Sequence, residues 1–591
     1  MDEIAPGKRD SILLTDVEAP ISPRPIAKTA RDISDLVLMP KGDNDVRWRA
    51  GERLHHLFEQ RVDDFEKSGD AGHLAIDSEE GKLTFAELDQ AANRLARYLL
   101  AEGLGFGDIV ALLFDRSNHS YISLLAVQKI NAAYVPLDVG FPEDRISYIC
   151  EDAGVSTILT LGEHARKLDG VGISLLCLDK ATGQIEAQDA GRLSVEETGQ
   201  PVSELSYIIY TSGTTGRPKG VPIEQGSICN FVRVAAETYG YVADDRVYQG
   251  LTIAFDFSVE EIWVPLIAGG TLVPNQTGRN LLGSDLHGFL ADNDITAMCC
   301  VPTLLSTIED DLPKLRLLIT SGEACPHDLV KRWYQDGRTI LNAYGPTETT
   351  VTATITEMYP EKPVTIGGPL PTYSIVILSP DEAKALPKGE VGEIAIGGIC
   401  LATGYLGRQE LTEKVFIPDF LNIPNNPSKR LYRSGDLGRV NEDGEIEYLG
   451  RIDLQVKIRG YRIELTEIES VIMQLPGVAQ AVVDTFEPVQ GAKELVAYYT
   501  APEGAEQVPA SEIAEALAEQ MPAYMVPAFY EPLPIIPMTS NDKADRKALP
   551  KPSGQRHSNS SKDHVAPEGD VEKGLAGALA ELLGIERVSA E

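Results

Sequence analysis

The stretch Leu205-Ser-Tyr-Ile-Ile-Tyr-Thr-Ser-Gly-Thr-Thr-Gly-Arg-Pro-Lys-Gly220 joins an apolar segment to a loop rich in glycine and hydroxyl groups. The apolar half predicts a buried strand at residues 205–210. In the loop, Gly213, Gly216 and Gly220 let the backbone approach an anion closely, and the hydroxyls and a lysine supply donors suited to phosphate. The loop lacks the G-x-x-x-x-G-K-[ST] spacing of a Walker motif. The expected phosphate contacts are Thr211, Ser212, Gly213, Thr214, Thr215 and Lys219.

Strand-like and helix-like segments alternate on both sides of this stretch. Apolar strands are predicted at residues 109–114, 134–137 and 315–320. Thr84 and Glu87 have the spacing of a capping box, so a helix should begin after Thr84. The alternation predicts an α/β fold in which mostly parallel sheets are covered by helices.

The character of the sequence changes after about residue 365. Short β-like segments separated by glycine and proline, such as residues 391–396, indicate a β-rich subdomain. A compact α+β stretch follows Asp453, and residues 551–569, rich in Ser, Pro, Gly, Asn and His, predict a linker. Residues 1–50 hold several prolines and many charges and predict an extension or docking arm.

Composition narrows the function classes. The 591 residues include 53 basic and 89 acidic side chains, a formal net charge of −36. This balance disfavours nonspecific nucleic-acid binding, which needs a basic surface. The seven cysteines have no C-x-x-C spacing and are expected to be buried thiols in a reducing compartment. Neither a signal peptide nor an apolar run of about 18–20 residues is present, which predicts a cytoplasmic location and no membrane span in this segment.

Further motifs follow one another along the chain. They are Ala-Tyr-Val-Pro-Leu-Asp at 133–138, Phe-Asp-Phe-Ser at 255–258, Asn-Ala-Tyr-Gly-Pro-Thr-Glu-Thr at 342–349, Gly-Glu-Ile at 392–394, Tyr-Arg-Ser-Gly-Asp at 432–436, Gly-Arg-Ile-Asp at 450–453, Gln-Val-Lys-Ile-Arg-Gly at 455–460 and Asn-Asp-Lys-Ala-Asp-Arg at 541–546. With the loop at 210–220, this ordered set resembles the signature of the adenylate-forming superfamily. The superfamily includes acyl-CoA synthetases, luciferases and the adenylation domains of nonribosomal peptide synthetases. The motifs at 133–138 and 455–460 resemble the peptide-synthetase branch in particular.

The resemblance implies both a fold and a reaction. It implies a large N-terminal lobe at residues 51–452, made of two helix-covered sheets plus a β-rich subdomain, and a small mobile α+β C-terminal lobe at residues 453–550. The implied reaction uses ATP and Mg²⁺ to convert an amino acid into an aminoacyl-AMP and pyrophosphate. The aminoacyl group then passes to the phosphopantetheine thiol of a carrier domain.

The resemblance also gives roles to residues around the nucleotide. Glu348 matches the magnesium-binding carboxylate, since Mg²⁺ prefers oxygen ligands, and Thr347 would hydrogen-bond a phosphate. Lys543 matches the catalytic lysine, whose ammonium would stabilise charge between the carboxylate and the α-phosphate. Asp542 stands beside it where the family usually has glycine. The adenine would stack on Tyr344, and its exocyclic amine would contact Asn342. The ribose would contact Asp436, Tyr448 and Arg451.

The second half-reaction involves the predicted hinge. Asp453 matches the residue about which the C-terminal lobe rotates after adenylation. That rotation would withdraw Lys543 and bring the segment from Lys457 to Gly460 to the site for thioester formation.

The acid is expected to be an amino acid because of Asp256. At the matching position of amino-acid-activating domains, a carboxylate pairs with the substrate's α-ammonium. A buried charge without a partner would be costly in an activator of simple acids. The implied pocket is lined by Asp256, Phe257, Glu260, Cys299, Ile319, Ser321, Ala343, Val351 and Thr352 and is closed by Lys543.

Glu260 is the unusual member of this pocket. A second carboxylate suggests a cationic substrate side chain, as in lysine, ornithine, a diaminobutyrate-like acid or arginine. Residues 255–263 are also similar to poly-lysine-type synthetases. The alternatives are that Glu260 pairs with a protein arginine or turns toward water. Phe257 is also compatible with an aromatic or small polar side chain.

Residues 570–591 resemble the start of a carrier domain, with apolar residues from Val571 to Leu583 at helical spacing. The Gly-Gly-Ser attachment motif for phosphopantetheine is absent, so we expect a carrier domain that is cut short. Two other functions remain open, an acyl- or aryl-CoA ligase and a catalytically silent docking module. Asp256 and the carrier-like tail argue against the ligase. The presence of Lys219, Glu348, Asp436 and Lys543 argues against the docking module.

Overall fold

The computed structural model describes residues 33–168, 170–201, 204–213, 217–276, 281–489, 492–502, 504–538, 544–553, 556, 567 and 569–583; at 489, 492, 570 and 578–583 it describes the backbone alone. These residues form helices and strands that alternate through the N-terminal half. The predicted α/β class is therefore confirmed.

The largest sheet in the described residues has nine strands. Its central strands are parallel, and antiparallel strands flank them on both sides. In spatial order the strands are Gly368–Pro369, Thr354–Glu357, Thr339–Tyr344, Leu317–Thr320, Ala297–Cys300, Arg246–Gln249, Thr271–Pro274, Leu74–Ser78 and Gly81–Thr84.

A second sheet of six strands contains the stretch that opens the sequence analysis. Its pairs are parallel except for the last, where two strands form an antiparallel hairpin. In spatial order the strands are Ser174–Cys177, Thr157–Thr160, Ile109–Leu113, Ala133–Leu137, Leu205–Thr211 and Lys219–Glu224. The four strands predicted in this lobe are present, with ends that shift by at most two residues.

Helices pack on these sheets and bury their apolar sides. The capping box is formed as predicted, because the Thr84 side chain accepts a hydrogen bond from the Glu87 N–H and Glu87 accepts one from the Thr84 N–H. The helices of this lobe are Leu54–Ser68, Phe85–Ala101, Asn118–Lys129, Glu143–Ala153, Gly162–Ala165, Thr182–Glu186, Val195–Thr198, Gln225–Thr238, Phe257–Ala268, Gly283–Asp292, Pro302–Ser306, His327–Trp333 and Gln409–Val415.

The predicted β-rich subdomain is an antiparallel sheet. Its described strands are Val37–Leu38, Tyr373–Leu378, Gly392–Gly398, Arg430–Val440, Phe416–Pro418 and Ile446–Arg451. The first strand comes from the segment predicted to be an N-terminal extension. Arg47 from the same segment donates its backbone N–H to Asn230 Oδ1 at 2.8 Å. Residues 33–50 therefore pack against the large lobe.

The C-terminal lobe has its own apolar core, which includes Ile463, Ile468, Leu517 and Met525. Its strands are Gln455–Ile458 and Tyr461–Glu464, which form a hairpin, and Gln480–Val489, Ala492–Thr500 and Phe529–Pro532, which form a sheet. Its helices are Leu465–Ile472 and Ala510–Gln520, and a helix at Gly569–Leu583 follows. Short 3₁₀ helices lie at Ile33–Asp35, Arg166–Leu168, Leu178–Lys180, Thr347–Thr349, Ala523–Met525 and Arg546–Ala548.

All seven cysteines are free thiols, and all except Cys177 are buried. Among the helices that the structure describes, none is long and apolar enough to cross a membrane. Val571 and Leu575, at the start of the final helix, are exposed.

Candidate active site

Several predicted site residues lie near the carboxyl ends of the parallel strands of the nine-stranded sheet. Cys300 and Thr320 end neighbouring strands and lie in register with Asn342, two residues before the end of the next strand. Ligands of open α/β sheets bind at this edge because the loops that follow the strands meet there. The Leu205–Thr211 hairpin and the Gln455–Glu464 hairpin of the small lobe face the same cleft.

The predicted phosphate loop is the turn of the hairpin in which Thr211 pairs with Lys219. At Gly213 a Cβ atom would lie 2.1 Å from the Arg217 carbonyl oxygen, so a side chain cannot be accommodated there. Lys219 is buried, and burial together with the nearby Arg462 charge lowers its pKa to about 8. Thr214 and Thr215 lie outside the described residues.

Glu348, the predicted metal carboxylate, is fully buried between cations. Its Oε2 accepts a hydrogen bond from Arg462 Nη1 at 2.8 Å, and its Oε1 lies 3.7 Å from Lys219 Nζ. Oε1 also accepts a hydrogen bond from the Tyr405 hydroxyl at 2.6 Å. Burial alone would raise the pKa of Glu348, but Arg462, Lys219 and Tyr405 lower it far below its ordinary value. The carboxylate is therefore ionised.

A metal ion is compatible with Glu348 on chemical grounds. Mg²⁺ in phosphate-transfer sites takes one or two protein carboxylates and completes its shell with phosphate oxygens and water. An ionised, buried Glu348 supplies one such ligand. Over the residues that the structure describes, no group of three or more His, Cys, Asp or Glu side chains could hold a metal by itself.

Four of the five residues predicted to hold adenosine form one hydrogen-bonded cluster around Asp436. The Tyr344 hydroxyl donates to Asp436 Oδ2 at 2.6 Å, and Arg451 Nη1 donates to Asp436 Oδ1 at 2.8 Å. The Tyr448 hydroxyl is 3.5 Å from the same Oδ1 atom. Asn342 donates its amide to the Thr365 carbonyl at 2.6 Å, so its side-chain oxygen is the group that can accept from a ligand.

The small lobe inserts its first hairpin into the cleft. Lys457 is half-buried, with its ammonium 5.8 Å from the centre of the Tyr344 ring, and desolvation lowers its pKa. The Gly460 N–H donates to Glu323 Oε1 at 3.0 Å. Gly460 has φ +80°, and a Cβ atom there would lie 2.4 Å from Val301 Cγ1. Only glycine can make this approach, so the tip of the hairpin is built for close contact with the large lobe.

Asp453, the predicted hinge, is held in this arrangement by an ion pair. Its two oxygens accept hydrogen bonds from Arg451 Nε and Nη2 at 2.6 and 2.7 Å. Although burial would raise the pKa of Asp453, the Arg451 guanidinium lowers it. Lys543, the predicted catalytic lysine, lies outside the described residues.

Asp256 stands at the start of the Phe257–Ala268 helix and is 8% exposed. Burial raises its pKa, and Thr347, within hydrogen-bonding reach, opposes the shift. Among the described residues, no lysine, arginine or histidine nitrogen forms an ion pair with its carboxylate. The cleft thus contains a buried acid without a direct cationic partner.

Glu260 lies one helical turn further along and is fully buried. Its Oε2 accepts a hydrogen bond from the Thr352 hydroxyl at 2.7 Å, and Oε1 receives no hydrogen bond of normal geometry from the described residues. Burial raises its pKa to about 8, although Thr352 and the neighbouring Tyr239 oppose the shift. Within the part of the chain that the structure describes, no arginine pairs with Glu260, and its side chain does not face solvent.

The other predicted pocket residues surround these two acids. Cys299 and Ile319 are register partners on adjacent strands. Thr350 and Val351 have left-handed backbone angles, φ 60° and 67°, which are strained for β-branched residues. This backbone bend places the Thr352 hydroxyl within hydrogen-bonding distance of Glu260 Oε2. The buried pocket residues are Phe257, Cys299, Ile319, Ser321, Ala343, Val351 and Thr352.

Four residues at the site were not predicted from the sequence. Tyr239 lies beside Glu260, and the Tyr241 hydroxyl is 3.4 Å from Cys299 Sγ. Tyr405 and Arg462 both contact Glu348. Arg462 follows the motif at 455–460 by two residues and could have been included with it. The tyrosines are isolated in sequence and carry no comparable signal.

Comparisons with known proteins agree with this architecture. Residues 64–406, more than half of the chain, match the model of the AMP-binding enzyme family, and residues 467–543 match the AMP-binding enzyme C-terminal domain. The chain is 38% identical to tyrocidine synthase 2 of Brevibacillus parabrevis over 94% of its length, and 39% identical to bacitracin synthase 3 of Bacillus licheniformis over 95%. It spans 15% and 8% of those two proteins.

Solved structures show the same relationship. A four-domain nonribosomal peptide synthetase bound to AMP and glycine is 32% identical, with a TM-score of 0.60 over 91% of this chain and 39% of that one. A protein containing adenylation and carrier (PCP) domains shares the fold, at 24% identity and a TM-score of 0.73 over 91% of this chain and 88% of that one. Because the family model covers more than half of its length, this chain belongs to the AMP-binding enzyme family.

Proposed function

We propose that the chain activates an amino acid with ATP, forming an aminoacyl-AMP and pyrophosphate, and then transfers the aminoacyl group to the phosphopantetheine thiol of a carrier domain. The observation that carries this proposal is Asp256, a buried carboxylate in the cleft without a direct cationic partner among the described residues. The α-ammonium of an amino acid would supply that partner. A simple acyl or aryl acid would leave the charge uncompensated, at a large desolvation cost.

The adenosine cluster supports nucleotide binding at the neighbouring end of the cleft. The Asp436 carboxylate can accept both ribose hydroxyls, and the Asn342 oxygen can accept from the adenine amine. Arg451 fixes the Asp436 carboxylate through a charged hydrogen bond at 2.8 Å, which orients it before the nucleotide arrives. The Tyr344 ring provides a flat surface for the base.

Glu348 is the residue that would hold Mg²⁺. The ion would neutralise the triphosphate and the negative charge that develops at the α-phosphate. Lys219 and the hydroxyls of the 211–215 loop would hold the remaining phosphate oxygens. Lys543 would act between the substrate carboxylate and the α-phosphate.

The position of the small lobe supports the second step. Lys457 and Gly460 lie in the cleft, and Gly460 contacts Glu323 of the large lobe. We infer that this arrangement serves thioester formation and that rotation about Asp453 exchanges it for the arrangement in which Lys543 enters.

Glu260 supports a cationic substrate side chain. With a pKa of about 8, this carboxyl is mostly neutral at pH 7 when the pocket lacks a cation. An ammonium or guanidinium beside it would favour the ionised form, so binding should release a proton. A neutral polar side chain, accepting a hydrogen bond from protonated Glu260, would release none. Calorimetry in buffers of different ionisation enthalpy, comparing ornithine with glutamine, whose neutral side chain can accept a hydrogen bond, separates the two cases.

The proposed reaction is tested by ATP–pyrophosphate exchange over a panel of the common amino acids, ornithine and diaminobutyrate. Exchange with one or a few amino acids supports it. Exchange with fatty or aryl acids alone would favour a CoA ligase. No exchange by a folded protein that still binds a partner chain would favour a docking module.

A further inference from the structure

The proposed reaction gives no role to the Gly-Glu-Ile motif at residues 392–394. Its glutamate, Glu393, is 4% exposed. It lies on the Gly392–Gly398 strand, which pairs antiparallel with the Arg430–Val440 strand. Asp436, the proposed ribose carboxylate, belongs to that second strand. The motif therefore lies beside the nucleotide end of the cleft.

A bulge interrupts the pairing of these two strands. Glu393 is the register partner of Leu437. Two residues further along the first strand, Ala395 is the partner of Arg433. One residue of the first strand, Ile394, is therefore opposite three residues of the second, which are Ser434, Gly435 and Asp436. Extra residues in a bulge leave the regular ladder and bend the strand, which changes the direction of their side chains. The bulge thus sets the direction of the Asp436 side chain.

The backbone groups that the bulge removes from the ladder are hydrogen-bonded by two side chains. The Gly435 N–H donates to Glu393 Oε1 at 3.0 Å. The Ser434 hydroxyl donates to the Ile394 carbonyl at 2.7 Å and accepts a hydrogen bond from the Asp436 N–H at 3.0 Å. Buried backbone groups need such partners because leaving them unpaired is costly. Glu393 and Ser434 therefore fix the backbone at Asp436 and immediately before it.

The other oxygen of Glu393 is held by an arginine. Oε2 accepts hydrogen bonds from Arg433 Nε at 2.7 Å and from Arg433 Nη2. This charged contact fixes the orientation of the carboxylate, so that Oε1 points at the Gly435 N–H. A carboxylate can make both contacts because it has two acceptor oxygens, whereas a side-chain amide has one.

We propose that Glu393 is a positioning residue for nucleotide binding, because it fixes the bulge that holds the Asp436 carboxylate in place for the ribose hydroxyls. The proposal rests on the proposed function, since it takes Asp436 to contact the ribose. Arg451 and Tyr344 hold the Asp436 carboxylate itself, and Glu393 acts on the backbone that carries it. Fixing both ends of the side chain before ATP arrives lowers the entropy cost of binding.

The first test compares ATP with 2′,3′-dideoxy-ATP by calorimetry in Glu393→Gln. The amide has one acceptor oxygen, so the variant loses the contact with either Gly435 or Arg433. Affinity for ATP should fall about tenfold, whereas affinity for dideoxy-ATP, which lacks both ribose hydroxyls, should fall by less than about twofold. The KM for the amino acid should not change. Equal losses for the two nucleotides would indicate a general structural role and overturn the proposal.

Glu447→Gln is the matched control. Glu447 lies on the adjacent Ile446–Arg451 strand of the same sheet and pairs with Arg439 at 2.6 Å. This variant should bind both nucleotides as the unmodified protein does, and a loss equal to that in Glu393→Gln would overturn the proposal. If the unmodified protein does not bind ATP, the proposed function fails. If it binds ATP and dideoxy-ATP equally, the ribose contact of Asp436 fails, and the proposal fails with it.

The second test combines Glu393→Gln with Asp436→Asn. Residues that act through one another have non-additive effects. If Asp436→Asn alone lowers ATP affinity about tenfold, the double variant should lose no more, whereas independent effects would multiply to about a hundredfold. A multiplied loss would overturn the proposal. If Glu393→Gln does not fold, Ser434→Ala, which removes the other side-chain contacts of the bulge, replaces it in both tests.

Discussion

Buried acidic side chains have opposite electrostatic environments at the two ends of the cleft. At the nucleotide end, Glu348 and Asp436 each have an arginine at 2.8 Å, and the pKa of Glu348 is lowered. At the substrate end, Asp256 and Glu260 have no ion-pair partner among the described residues, and burial raises the pKa of both. Arginines of the protein neutralise the buried carboxylates at the end where we propose that the nucleotide binds. At the end where we propose that a cationic group binds, the buried carboxyl groups have no ion-pair partner among the described residues.

The largest effect is expected from removing the proposed catalytic lysine. Lys543→Ala should slow adenylation about a thousandfold, because it removes the proposed charge at the α-phosphate in the transition state. ATP affinity should change little, since adenosine and the other phosphate contacts remain. Exchange kinetics and calorimetry measure the two quantities, and undiminished exchange would refute the role of Lys543.

Asp256→Asn tests the substrate end alone. Loss of the charge that would pair with the α-ammonium should lower kcat/KM for the amino acid about a hundredfold, as for other buried charge pairs. ATP affinity should be unchanged because Asp256 is not part of the adenosine cluster. An equal loss in ATP affinity would mean that the two ends are not separate.

Asp436→Asn is the reciprocal change at the nucleotide end. It keeps the shape of the side chain but weakens the contact with Arg451 and one ribose hydroxyl contact. We expect ATP affinity to fall about tenfold, with little change in the KM for the amino acid. A larger effect on the amino acid than on ATP would contradict the assignment of the two ends.

Glu260→Gln should have the smallest effect, and that effect should depend on pH. The folded-state pKa of about 8 is above the ordinary value of 4.5, so the stabilisation by neutral Glu260 is present below about pH 4.5 and is lost as pH rises to about 8. The Tm of Glu260→Gln relative to the unmodified protein should therefore increase from pH 5 to pH 8 and then level off. Glu515→Gln, at an exposed helix position, is the control. A pH-independent difference would exclude buried ionisation at Glu260.

The sequence predicted the strands and the ordered motifs well, because both depend on local pattern. The strand before the phosphate loop and the capping box at Thr84 are each set by neighbouring residues. The sequence did not predict that Thr352 would hydrogen-bond Glu260. The two residues are 92 positions apart, and the strained turn at Val351 brings them into contact. The hydrogen bond from Tyr405 to Glu348 was also not predicted, because 57 positions separate these residues in the sequence. Long-range pairing of this kind leaves no periodic signal.

Whether activation requires an α-ammonium is the most direct test of the proposed function. ATP–pyrophosphate exchange is measured with the best amino acid of the panel and with its deamino analogue, which keeps the carboxylate and side chain. We expect rapid exchange with the amino acid, and almost none with the analogue, because Asp256 would be left buried without the α-ammonium as a partner. Equal exchange rates with the two acids would contradict it.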